Sequence, residues 1–202
     1  MRLSIVQYGD PVLRTKGARV EMIDDRVREL AEDMIETMHA AHGIGLAAQQ
    51  IGQALQLTVL DVSQVEDRPS TMKLNGNEID PRTSMPIVLI NPEITLSAET
   101  EVGIEGCLSF PEITGDIERP TSAIVRAEDL EGNKIEIEAS GLLARAIQHE
   151  IDHLNGILFI DRMNSAAKAA LASKLKRLQK QTRRGQKLRT ADLESIVTET
   201  TL

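Results

Sequence analysis

A chain of 202 residues with 41% hydrophobic and 27% charged residues is long enough for one domain with a full core and too short to favour two. Three aromatic residues (Tyr8, Phe110 and Phe159), a single cysteine and no bilayer-length apolar run exclude an aromatic base-stacking platform, an intramolecular disulfide and a membrane span. The net charge of −8 is uneven, since residues 1–161 are strongly acidic while 162–191 hold ten basic residues and no acid; the body is therefore unsuited to nucleic acid, DNA included, and only the basic segment suits it.

In chain order, residues 24–42 show a helical period, with Val27, Leu30, Ala31, Met34, Ile35 and Met38 on one stripe. Asp24 or Asp25 can cap its start and Gly43 can end it in the left-handed conformation, with His39 and His42 in the last turn, where the helix dipole favours a cation. Segments 55–62 and 85–94 have strand character, and 122–139 reads as a hairpin turning at Glu131-Gly132-Asn133. Between the first two, residues 63–84 are polar and rich in Pro, Asn and Gly, which predicts a surface insertion. A second helix is expected from Gly141 to Leu154, with Leu143, Ala146, Ile147, Glu150, His153 and Leu154 on its inner face. A third, over about 165–182, carries Ala167, Ala170, Leu171, Leu175 and Leu178 on one side and basic residues on the other. Strands that cluster rather than alternate with helices predict an α+β fold, a single domain of antiparallel or mixed strands around the second helix.

That second helix reads "QHEIDHLNG" over 148–156. On a helix His149 and His153 are neighbours, about 5–6 Å apart at Cβ, and can converge on one cation. Glu150 lies about 100° round from His149, beside a metal rather than on it, where it can take a proton from water; this is the physical content of H-E-x-x-H. A helix buried for packing alone would carry Leu or Ala at these positions, because unpartnered histidines and a glutamate are costly there. A catalytic site of this type needs a third protein ligand and an open position. No histidine follows His153, and the later acids are Asp161, Asp192, Glu194 and Glu199. The other candidate lies upstream: Cys107 in "GIEGCLSFPE" (103–112), where Gly103 and Gly106 let backbone approach a ligand and Pro111 stiffens the exit. A zinc peptidase with a third ligand other than Cys107 is the alternative reading.

Three stretches, "GIGLAAQQIG" (43–52), "EGCLSFP" (105–111) and "QHEIDHLNG", together with "YGDPVLR" (8–14) and "INPEI" (90–94), resemble the signature motifs of the peptide deformylases in order, spacing and content. The resemblance runs from the N-terminus to about residue 163, which sets a catalytic domain over 1–163 and a basic C-terminal helix and tail over 164–202. It implies a hydrolase that removes the formyl group from the N-terminal formyl-methionine of new bacterial polypeptides. It further implies Cys107, His149 and His153 as metal ligands, Glu150 as general base and acid, and the Gln50 amide and Leu108 N–H as donors to the reacting oxygen. Ile44, Gly45 and Gly106 correspond to backbone positions that line the peptide. Only the family register favours Gln50 over Gln49. The implied metal is Fe2+, while a thiolate with two imidazoles also suits Zn2+ or Ni2+. Ile44, Leu142 and Ala146 are expected around the methionine side chain. The resemblance places such an enzyme in the cytoplasm and suggests ribosome contact through the basic 162–191 segment, whose charges suit RNA phosphates.

Overall fold

The computed structural model describes residues 1–199, with side chains to residue 186; residues 200–202 of the expected tail lie outside it. The apolar stripe of the first helix folds as α1 (Asp25–Ala40), and Asp24 is its cap, accepting from Val27 N at 3.1 Å. The left-handed residue that follows is His42, at φ 54°, and not Gly43. Gly43 answers to a different demand: a Cβ there would lie 2.7 Å from Leu108 Cδ1.

Nine strands follow: β1 (Gly45–Ala47), β2 (Leu57–Leu60), β3 (Ser70–Leu74), β4 (Asn77–Ile79), β5 (Ile87–Leu96), β6 (Thr100–Gly106), β7 (Thr114–Pro120), β8 (Ser122–Glu128) and β9 (Lys134–Ser140). Seven form one sheet in the order β1-β2-β5-β8-β9-β3-β4, and β6 and β7 pair separately; every pairing is antiparallel. The expected hairpin is β8–β9, in register from Ser122↔Ser140 to Glu128↔Lys134.

Segment 63–84 lies largely at the surface and carries regular structure that its polar composition did not suggest. It supplies β3 and β4, and β3 pairs with β9 from Thr71↔Ser140 to Leu74↔Ile137. The cause is local: Asn75 and Gly76 take positive φ (50° and 82°) in a two-residue hairpin turn, a geometry this dipeptide favours, and Met72 points into the core.

Helix α2 (Gly141–Leu154) runs through the middle of the molecule, and α3 (Phe159–Arg162) and α4 (Ser165–Glu199) follow it. Every residue of α2 from Leu142 to Leu154 is buried, so it has no solvent face opposite the expected inner one. On one side Leu142, Leu143, Ala146, Ile147 and Ile151 pack with Leu60, Met72, Val125 and Ile137 of the sheet. Met34 and Met38 of α1 pack with Leu46, Leu57 and Val59, and a third cluster joins Leu13, Phe110, Ile117, Phe159, Leu175 and Leu178. That last cluster fastens α4, which extends well past the expected end near 182. Among the described residues no helix is long and apolar enough to cross a membrane.

Candidate active site

His149 and His153 lie one turn apart on α2, both buried, with ring centroids 5.0 Å apart. Cys107 follows β6 directly and brings its Sγ to 3.2 Å from His153 Nε2. The ligand-type atoms of Cys107, His149 and His153 all lie within 4.8 Å of one another, the one such group among the described residues. The donor set fits a divalent cation, since thiolate and neutral imidazole are ordinary ligands for one. His149 Nδ1 is engaged by Glu105 Oε2 at 2.9 Å, so Nε2 is the nitrogen left for a metal. Burial opposes charge on both rings: it leads in carrying His153 well below its ordinary pKa, whereas Cys107 and Glu105 outweigh it and carry His149 well above.

Glu105 was not singled out in the sequence, and it organises the site. It lies on β6, accepts from Arg119 Nε and Nη2 at 2.6 and 2.9 Å, and accepts from Arg145 Nη1 at 2.9 Å. Arg119 Nη1 also donates to Asp152 Oδ2 at 2.7 Å, and Arg162 Nη2 donates to Asp152 Oδ1 at 2.5 Å. Burial pushes the Glu105 carboxyl up, but His149 and Arg119 more than offset it and hold it down at about 2. The available signal was Arg119 in a strand and Arg145 in an apolar helix, since buried arginines require a buried anion.

Glu150 is buried beside the ligands. Its Oε1 occupies the place of a Gly45 side chain, for a Cβ there would lie 2.3 Å away, and its Oε2 is buried without a partner. Burial pushes its carboxyl up to about 7. The two adjacent glutamines separate cleanly. Gln50 Oε1 accepts from Ala47 N at 2.8 Å, which turns Nε2 toward Cys107 Sγ and Ser109 Oγ, each at 3.5 Å. Gln49 Nε2 points instead to Leu154 O, at the end of α2.

A cavity of about 510 Å³ opens over these groups. Ile44, Gly45, Gly106, Leu108, Leu142 and Ala146 all line it. His42 and Arg145, which were not expected there, line it too, and Arg68 brings the 63–84 segment to its wall. His39 takes a separate place, with Nε2 2.8 Å from Asp61 Oδ2.

A cysteine and two histidines whose ligand-type atoms converge beside a cavity, with a buried glutamate next to them in an α+β frame, are the donor set of a metal-dependent hydrolase. The family model described as polypeptide deformylase matches residues 2–169. The chain is 48% identical to the peptide deformylase of Opitutus terrae over 95% of its own length and 100% of the relative's. It is 42% identical to that of Methylacidiphilum infernorum, covering 89% and 94% of the two chains. Among solved structures it is similar to Arabidopsis thaliana peptide deformylase 1B, with a TM-score of 0.78 at 36% identity over 91% of this chain and 93% of the other. The Synechococcus elongatus enzyme superposes with a TM-score of 0.73 at 42% identity over 85% and 87%. The chain belongs to the polypeptide deformylase family, the enzymes that remove the N-formyl group from nascent chains.

Proposed function

We propose that Cys107, His149 and His153 together hold one ferrous ion and that Glu150 is the base and acid of the deformylation. The observation that carries this reading is the buried Glu150 carboxylate, with one oxygen unpartnered, beside three converging ligand atoms. A bound divalent cation supplies Lewis acidity toward water and the formyl oxygen. Glu150, its carboxyl near 7, takes the proton of the attacking water and returns it to the nitrogen as the formyl C–N bond breaks. A C–O bond forms to the formyl carbon, and the products are formate and a free N-terminal amine. Negative charge builds on the formyl oxygen, where Gln50 Nε2 and the Leu108 N–H act as donors. Gln50 suits that role because Ala47 N fixes its other end. Ile44, Gly45 and Gly106 line the peptide, and Leu142 and Ala146 flank the methionine side chain; their common place on the cavity wall supports this.

Iron is the ion implied by the family resemblance, and zinc and nickel suit the same donors. Metal analysis of protein purified without oxygen decides among them. The substrate fits a cytoplasmic role in N-terminal processing during protein biosynthesis. Ribosome contact through residues 162–191 is supported by exposed Lys174, Lys176, Arg177, Lys180, Arg183 and Arg184 on α4.

The test is formate release from a formyl-Met tripeptide by the parent and by Glu150→Gln, each analysed for metal. The expected result is formate from the parent only, with peptide bonds intact and metal bound in both. Formate from Glu150→Gln at the parent rate overturns the assignment of the base. Peptide-bond cleavage in place of formate favours the peptidase alternative.

A further inference from the structure

We propose that Arg145 is a positioning residue that holds the cysteine-bearing strand at ligand distance from the histidine-bearing helix. The proposal rests on Cys107 and His149 being metal ligands. The two are delivered by elements that share no ladder: Cys107 directly follows β6, which pairs only with β7 in a two-stranded sheet, and His149 is on α2. Helix α2 meets that sheet through side chains, among them Gln148 Nε2 donating to Pro120 O at 2.9 Å and Asp152 Oδ2 accepting from Arg119 Nη1 at 2.7 Å. An isolated hairpin is at best marginally stable, so its placement depends on ties to its surroundings.

Arg145 is the tie that grips the main chain of both strands. It is four residues before His149, one helical turn away, and is only 4% exposed. Its Nη1 donates to Ile117 O on β7 at 2.9 Å and to Glu105 Oε1 on β6 at 2.9 Å. Its Nη2 donates to Glu101 O at the outer end of β6, again at 2.9 Å, with Glu101 Oε1 at 3.6 Å. Glu105 is two residues from Cys107 and also receives His149. The guanidinium therefore fixes the strand that delivers the thiolate and the carboxylate that orients the imidazole.

Gly103 is the other half of the device. A Cβ at that position would stand 3.0 Å from Arg145 Cζ, 3.1 Å from Nη2 and 3.2 Å from Nε. The guanidinium packs onto the bare glycine backbone, and a Cβ there requires it to give way by a few tenths of an ångström. Lysine cannot replace this arrangement, because an ammonium lacks the planar fork that reaches a carboxylate and two carbonyls together.

The experiment measures Zn2+ affinity by chelator competition, and the d–d spectrum of the Co2+ form, for the parent, Arg145→Leu, Arg145→Lys, Gly103→Ala and the Gly103→Ala/Arg145→Leu double variant. Arg145→Leu should bind Zn2+ about 10–100-fold more weakly, the range typical of lost outer partners, with a changed Co2+ spectrum. Arg145→Lys should recover only part of this. Gly103→Ala should weaken binding in the parent and have no further effect once Arg145 is gone. Parent-like affinity and spectrum in Arg145→Leu overturn the proposal, even if that variant melts earlier, because Arg145 would then serve stability alone. Should Arg145→Leu fail to fold, Gly103→Ala decides: a loss of affinity in the folded protein supports the clamp, and parent-like affinity refutes it. Cys107→Ser is the control on the underlying reading; if it retains parent affinity, Cys107 is not a ligand and the failure lies there rather than with Arg145.

Discussion

Glu150 carries two demands in one side chain. As the proposed base, it must be buried enough for its carboxyl to rise to about 7 and stay open to the proton it would move. Gly45 reconciles them by leaving space for Oε1 where any larger residue would collide. Gly45→Ala should therefore lower kcat at least about tenfold while leaving bound metal unchanged, since misplacing a reacting group by about 1 Å can cost 10²-fold; steady-state kinetics with metal analysis checks this. Gln50→Leu removes the proposed side-chain donor to the developing charge, and on that proposal it should lower kcat by roughly 10²–10³, with little change in KM. Gln49→Leu, next in sequence but turned toward Leu154 O, should leave kcat within about twofold and act on stability, because it loses one net hydrogen bond of about 1 kcal/mol. The placing of His149, Glu150 and His153 together was legible in the sequence because H-E-x-x-H encodes its geometry in helix spacing alone, whereas Cys107 stood out as a ligand only through the family resemblance. Glu105 was not, since its importance comes from His149, Arg119 and Arg145, and those contacts span up to 44 residues.

The elements show the same division between local and distant causes. α1 and α2 and the β8–β9 hairpin follow from periodicity and a turn, each readable within a short window. The β6–β7 hairpin escapes that reading because its strand pattern is broken by Gly103, against which the Arg145 guanidinium packs. In segment 63–84 the polar composition hides an Asn75-Gly76 turn whose first strand, β3, gains its partner from β9, more than sixty residues on. α3 is likewise fixed from outside. Asp161 accepts from Leu158 N at 2.9 Å, from Lys168 Nζ of α4 at 3.3 Å, and from Arg14. Partial burial raises its carboxyl, but Arg14 and the Leu158 N–H prevail and hold it below its ordinary value. A depressed folded-state pKa stabilises the protein above the unfolded pKa of about 3.9, and that stability is lost as pH falls through the lower folded value. Denaturant midpoints measured from pH 7 to pH 3 should therefore fall more steeply, in the region below about pH 4, for the parent than for Asp161→Asn. Equal slopes would mean that the Arg14 contact is screened by solvent.

Over the whole molecule, α4 has a packed side and a basic side. Its Leu175 and Leu178 close the cluster that holds Phe110, three residues after Cys107, and Phe159, whose ring centroid lies 6.1 Å from that of His149. The helix therefore supports the floor of the site from outside. Its exposed lysines and arginines stand on the opposite side, on a body that is otherwise acidic. Leu178→Ala should cost about 2–3 kcal/mol of stability, near the low end for a buried leucine, and should not alter ribosome binding by the protein that remains folded. A triple Arg177→Glu, Lys180→Glu, Arg183→Glu variant should do the reverse. These side chains are exposed, so the melting temperature and the rate of formate release from a tripeptide should stay close to the parent. Co-sedimentation with ribosomes should weaken sharply, and the parent's binding should itself fall steeply with salt, because each phosphate contact adds roughly 0.7–0.9 to the slope of log K against log salt. Binding that is indifferent to salt, or equal in the triple variant, would assign these charges to solubility and leave α4 only its supporting task.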